Sequence, residues 1–255
     1  MLHDPWFWAA AIPAVILVGL SKGGLGSVGA LAVPILSLAI SPVTAAGLTL
    51  PIFVLSDVVA VISYRRSFDW PVLRTMLPAA LAGIGIGWAT AAWVSDDAVR
   101  VIVGAVSVLF SLNYWFRGRL QAEPSRPSTA KGAFWGAVSG FTSFVSHSGG
   151  APFQMYVLPL GFAPMVYAGT STIFFAAVNA TKLVPYFFLG QFKSANLIAA
   201  ALLAPLSIAF ALIGVRIVRV IDQRVFYRLI YVLMFAIGLF LIGQAVVDWI
   251  EGARA

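Results

Sequence analysis

The chain has 255 residues, of which 61% are hydrophobic and 10% charged. A soluble domain carries about 25% charged and about 45–50% apolar residues, so a soluble enzyme or binding module is excluded, and so is a disordered chain. The net charge of +7 comes without a basic run interleaved with aromatics, which excludes a nucleic-acid partner and points to Lys- and Arg-rich loops at a membrane face.

Charge is rationed along the chain. None lies between Lys22 and Asp57, Lys131 and Lys182, Lys193 and Arg216, or Arg228 and Asp248. Apolar stretches of about 20 residues are what a hydrocarbon core requires, and the alternation of an outer-membrane barrel is absent. The sequence predicts an all-α polytopic membrane protein in a lipid bilayer.

In chain order, two short apolar pieces at 5–20 and 25–40 flank the glycine-rich Ser21–Gly26. With no Lys or Arg before Lys22, the first does not read as a cleaved signal peptide. Segments at 43–64, 71–94 and 98–116 follow, then a polar linker at Arg117–Lys131 containing Pro124 and Pro127. Two more short pieces, 132–146 and 151–161, flank Ser146–Pro152, and segments at 163–189, 194–217 and 225–248 complete the chain.

The halves resemble each other. Ser41–Gly47 matches Ala163–Gly169, and the same offset of 122 pairs Thr49 with Ser171, Asp57 with Asn179 and Tyr64 with Tyr186. This divides the chain into an N-terminal membrane repeat (1–116), a cytoplasmic linker (117–131) and a C-terminal membrane repeat (132–255). Each repeat has about four helical elements and opens with a broken or re-entrant helix pair. Internal duplication of this kind is usual in secondary transporters. If each opening pair returns to its own side, the repeats are inverted. One face then holds Arg65, Arg66, Arg74, Arg117, Arg119, Arg126, Lys131, Arg216, Arg219, Arg224 and Arg228, which is 11, and the other Arg100, Lys193 and Arg254, which is 3. Parallel repeats split 9 against 5, so the positive-inside rule favours inversion.

Lys22, Asp57, His147 and Lys182 fall inside apolar segments. An ionised side chain there costs at least about 2.5–3.5 kcal/mol and marks a functional site. The alternatives are structural pairing, with Asp57 as a lysine's partner, or snorkelling of Lys182 to an interface. Half-helices whose N-termini point inward offer free N–H groups. Gly23, Gly24, Gly26, Gly149 and Gly150 let a ligand approach the backbone, or let helices pack closely. Ser21, Ser146 and Ser148 add hydroxyls, and the lysines add positive charge. These parts describe an anion site. Thr170, Ser171, Asn179 and Lys182 extend it along the next segment, although Thr170 and Ser171 serve equally well as caps or interhelical bonds.

His147 is the candidate proton-coupling residue, with Asp57 second, because imidazole titrates near neutral pH. The alternative for His147 is bonding to backbone groups freed by the glycines. The adjacent Ser146-His147 pair lacks a third orienting carboxylate, so an enzyme is not expected. With no cysteine and His3 terminal, no metal or cofactor is expected either.

At these residues the sequence resembles the sulfite exporter TauE/SafE family, also called the toluene sulfonate uptake permease family. The glycine-rich stretches with a following proline are GLSKGGLGSVGALAVP (Gly19–Pro34) and GFTSFVSHSGGAPFQMYVLP (Gly140–Pro159). The proline and small-residue string appears as SPVTAAGLT (Ser41–Thr49) and APMVYAGTST (Ala163–Thr172), and Phe68-Asp69-Trp70 fits a third element. Three positions depart from the family pattern: Lys22, the SHSGG string, and Gln191-Phe192 where Asp-Trp would repeat. The resemblance implies a secondary transporter moving sulfite or a small organosulfur anion across the bacterial inner membrane by alternating access. A passive anion channel is the competing reading, and protons as coupling ion and a homodimer are admitted by it.

Overall fold

The structure, a computed structural model, describes residues 1–90, 93, 96–116 and 125–252. All regular structure among these residues is helical. In chain order the helices are α1 (Pro5–Leu20), α2 (Ala32–Ser37), α3 (Pro42–Tyr64), α4 (Trp70–Thr90), α5 (Asp96–Phe116), α6 (Thr129–Ser146), α7 (Gly150–Val157), α8 (Pro164–Phe188), α9 (Ser194–Val220) and α10 (Gln223–Gly252). A π-helical turn at Ser21–Leu25 and a 3₁₀ segment at Gly26–Leu31 join α1 to α2.

Local chemistry sets the helix starts. Asp4 accepts a hydrogen bond from the Trp6 N–H at 2.9 Å, and Pro5 opens α1. Ser41 accepts from the Thr44 N–H at 3.4 Å at the head of α3. Asp69 accepts from the Val72 N–H at 2.8 Å at the head of α4, which gives the Phe68-Asp69-Trp70 string a capping role. Both α3 and α8 begin with proline after an extended residue, where the missing N–H has no intrahelical partner to lose.

Among the described residues, five apolar stretches are long enough to cross a membrane: Pro5–Leu25, Val43–Tyr64, Trp70–Thr90, Ser194–Val220 and Gln223–Val247. The chain is a multi-pass membrane protein. The opening piece differs from the expectation of a segment too short to span. α1 continues through the π-helical turn, giving a 21-residue stretch long enough to span and holding one charged residue, Lys22. The 25 residues of α8 carry Thr170, Ser171, Thr172, Asn179 and Lys182 among their buried positions, so its polar side chains meet protein.

Two compact units form, each drawn from both halves of the sequence. Residues 117–124 of the linker lie outside the described residues. The first unit joins Met1–Leu73 with Ala163–Asp222. In it α2 folds back on α1, α1 packs on α9, and α3 packs on α8 and α9. Phe7, Val15, Val18, Leu36, Leu48 and Ile52 belong to its apolar core. Lipid tails are as apolar as these side chains, so close packing and polar contacts have to hold the helices together. Gly19 and Gly23 supply the close approach: a Cβ would stand 2.3 Å from the Ser207 carbonyl oxygen and 2.5 Å from the Gly214 Cα, respectively.

The second unit joins Arg74–Phe162 with Gln223–Ala255. α6 packs on α4, where a Cβ on Gly136 or Gly140 would stand 2.6 Å from the Met76 oxygen or 2.0 Å from the Ala80 oxygen. α5 packs on α10, with the Tyr114 and Tyr231 rings stacked at 3.5 Å between centroids.

Candidate functional site

Three elements of the first unit bring charge together: the break after α1, the middle of α3 and the middle of α8. Lys22 comes from the break. Its Nζ lies 2.7 Å from Asp57 Oδ1 of α3, with the two side chains 7% and 5% exposed. Asn179 of α8 donates its Nδ2 hydrogen to Asp57 Oδ2 at 2.7 Å. Both carboxylate oxygens are therefore engaged, one by an ammonium and one by an amide. The Lys22 ammonium also stands 4.8 Å from the centroid of the Phe53 ring, one helical turn before Asp57, in cation–π range.

Lys182 stands one turn beyond Asn179 and is fully buried. Its ammonium lies 5.7 Å from the Tyr186 ring centroid and within Coulombic reach of Asp57 and Lys22. Complete burial inside the unit removes the snorkelling alternative for this lysine. Two lysines thus lie within Coulombic reach of one carboxylate.

The break is held by side chains that satisfy its irregular backbone. Gly24 adopts φ 105°, and a Cβ there would lie 2.6 Å from Ala168 Cβ and 2.9 Å from the Tyr64 hydroxyl oxygen. Only glycine fits that conformation and that space. The Tyr64 hydroxyl donates to the Gly23 carbonyl at 2.6 Å, and Thr172 Oγ1 donates to the Lys22 carbonyl at 3.4 Å. The Ser21 hydroxyl donates to the Gly26 carbonyl. Next to Asp57, the Ser56 and Ser207 hydroxyls bond at 2.7 Å and tie α3 to α9. At Gly23 and Gly24 the neighbouring space is filled by protein, so close helix packing accounts for these glycines.

The second break lies in the other unit. His147 ends α6 at φ 54°, and its backbone N–H donates to the Thr142 carbonyl. Ser146 Oγ donates to the Thr142 carbonyl at 3.2 Å, and Ser148 Oγ to the Ser146 carbonyl at 3.1 Å. Ser139 Oγ donates to the Gly149 carbonyl at 2.7 Å. The Ser21, Ser146 and Ser148 protons are all directed at backbone oxygens. Gly150 starts α7 with no side-chain cap before it.

On α8, the Thr170 hydroxyl accepts from the Asp69 N–H at 2.8 Å and donates to the Val166 carbonyl at 2.7 Å. That is the interhelical alternative for Thr170. Ser171 is buried beside it. Of the residues singled out in the sequence, the structure gathers Lys22, Asp57, Asn179 and Lys182 into one cluster. Ser146, His147, Ser148, Gly149 and Gly150 belong to the separate unit.

Sequence reasoning missed Phe53, Tyr64 and Thr172 as parts of this cluster. Phe53 carried a signal, standing one turn from Asp57 on the same helix face. The glycine spacing carried another. Gly19/Gly23 and Gly132/Gly136/Gly140 are each four apart, the G-x-x-x-G pattern of closely packed membrane helices.

Ammonium groups and one amide donor converge here among buried side chains. The profile of the sulfite exporter TauE/SafE family matches residues 11–241, a range that takes in both breaks and every member of the charged cluster. No curated protein and no solved structure matches the chain. With nearly its whole length matched, the chain belongs to the sulfite exporter TauE/SafE family, whose members transport sulfite-type anions across membranes.

Proposed function

We propose that this chain is a secondary transporter that carries sulfite or a small organosulfur anion across the bacterial inner membrane by alternating access. The observation that carries the reading is the buried Lys22–Asp57–Asn179 cluster with Lys182 beside it. An excess of lysine over carboxylate inside a membrane protein suits an anion, since a cation site would want carboxylates and carbonyls. The same burial favours a transporter over a passive channel. A channel needs a continuous polar pathway, whereas these side chains are enclosed by packed helices and have to be uncovered before an anion reaches them.

The proposed topology is two inverted repeats, 1–116 and 132–255, joined by a cytoplasmic linker at 117–131. Its support is the distribution of Arg and Lys together with the contact between Asp57 and Asn179. Those residues are separated by the repeat offset of 122 and hydrogen-bond to each other. A two-fold relation with its axis passing between α3 and α8 brings equivalent residues together in this way.

Flux into proteoliposomes, measured for a panel of sulfur anions with and without a pH gradient, tests the function. Accumulation of at least one unaltered anion supports it. Absence of flux for every sulfite and sulfonate, from protein shown to be folded and inserted, refutes it.

A further inference from the structure

We infer that the Asp57 carboxylate occupies the position of the transported anion, as a built-in surrogate that substrate displaces when a proton neutralises it. This rests on the anion-transport reading above and adds to it the identity of the group with which substrate competes.

The geometry is that of a bound oxyanion. Lys22 Nζ meets one oxygen of Asp57 at 2.7 Å, and Asn179 Nδ2 meets the other at 2.7 Å. An ammonium can only donate, and so can an amide nitrogen. The two donors therefore converge on any group that presents a pair of oxygens on one atom. Carboxylate, sulfite and sulfonate all do. The Lys182 ammonium and the Phe53 ring complete the surroundings without adding an acceptor that would repel an anion.

Two anions cannot share this ammonium. Like charges a few ångströms apart disfavour each other's ionised form, so substrate can take the position only if Asp57 leaves or becomes neutral. Helices enclose Asp57, which gives an ionised carboxylate no wet place to swing into. A proton from solution bound to the carboxylate removes the conflict and frees Lys22 and Asn179. No bond in the substrate changes, and one proton accompanies each anion.

The groups facing Asp57 from the packed elements are consistent with a single titrating carboxylate. The break supplies Lys22, and α8 supplies Lys182 and Asn179. From α9 comes the uncharged Ser207, bonded to Ser56. The sequence of α2, Ala32–Ser37, holds no titratable residue.

The test uses methanesulfonate, which keeps one negative charge from mildly acid to mildly alkaline pH, so any pH dependence belongs to the protein. Binding to the full-length protein in detergent is followed by titration calorimetry. Wild-type affinity should rise toward about tenfold for each unit fall in pH, the slope of one linked proton. Asp57→Asn should bind as tightly as the wild type at acid pH and show no pH slope. Lys22→Met should weaken binding at least about tenfold at every pH.

Repeating the wild-type titration in two buffers of different ionisation enthalpy counts the protons taken up, independently of any variant. One proton per anion supports the inference, and none overturns it. An Asp57→Asn protein that keeps the wild-type slope, or that stays folded yet fails to bind, also overturns it. If the wild type binds with no pH slope, the surrogate role fails while the transport reading stands. If neither methanesulfonate nor sulfite binds at any pH, both fail.

Discussion

Replacing Lys22 with Met removes the ammonium and keeps most of the side-chain volume. Asp57 Oδ1 then loses its 2.7 Å partner while Oδ2 keeps Asn179. With the aspartate side chain 5% exposed, water does not replace the lost partner. Removing one member of a buried ion pair costs about 3–5 kcal/mol, because the other is left buried and uncompensated. Total stabilities run to only about 5–15 kcal/mol, so the variant should lose a fifth or more of its margin. Replacing both members, Lys22→Met with Asp57→Asn, leaves no bare charge and should cost less than half as much. With each single substitution costing about 3–5 kcal/mol and the pair less than half of one, the expected coupling is at least about 4 kcal/mol, above the about 0.5–3 kcal/mol usual for residues in contact. A double-mutant cycle on unfolding in mixed micelles measures it. A single variant within about 0.5 kcal/mol of the wild type, the range of surface substitutions, refutes the claim that this pair is buried and mutually dependent.

Gly24→Ala should destabilise by at least about 2 kcal/mol, from the positive φ and the close Ala168 and Tyr64 contacts; the same unfolding assay detects it. His147→Asn should leave the pH dependence of flux unchanged and cost less stability than His147→Val, since asparagine tolerates the left-handed conformation. His147→Val should cost about 1–2 kcal/mol, and loss of pH dependence in the asparagine variant would return proton coupling to His147. Single cysteines at Ser125 and Lys193 should label from opposite faces of the membrane, with Ser125 on the cytoplasmic side. Labelling from one face contradicts the inverted topology.

Much of the helical layout was legible because charge is costly in a bilayer. The apolar segments read at 43–64, 163–189, 194–217 and 225–248 lie close to the limits of α3, α8, α9 and α10, and the proline and small-residue strings at Ser41-Pro42 and Ala163-Pro164 stand at helix starts. The partnership of Lys22 with Asp57 was harder to read. The two residues stand on different elements, and only the folded break carries the lysine to the carboxylate. The glycines were ambiguous for a different reason. Absence of a side chain serves ligand approach and helix packing alike, and only the positions of Gly214, Ala168 and Tyr64 decide that Gly23 and Gly24 are filled against protein. Hydroxyl direction was not legible at all, because whether Ser21, Ser146 and Ser148 face a ligand or a carbonyl depends on the conformation of each break. Thr170 stood as an equal choice between substrate contact and interhelical bonding, and the Asp69 N–H at 2.8 Å supplies the interhelical bond.

Counterflow tests the central claim most directly. Proteoliposomes loaded with unlabelled sulfite or sulfonate and diluted into a trace of the labelled anion report whether one site is exposed to each side in turn. The account predicts a transient accumulation of label above its equilibrium level, abolished when Lys22→Met and Asp57→Asn are combined. Monotonic equilibration without overshoot, or an overshoot that survives the loss of both charges, would contradict it.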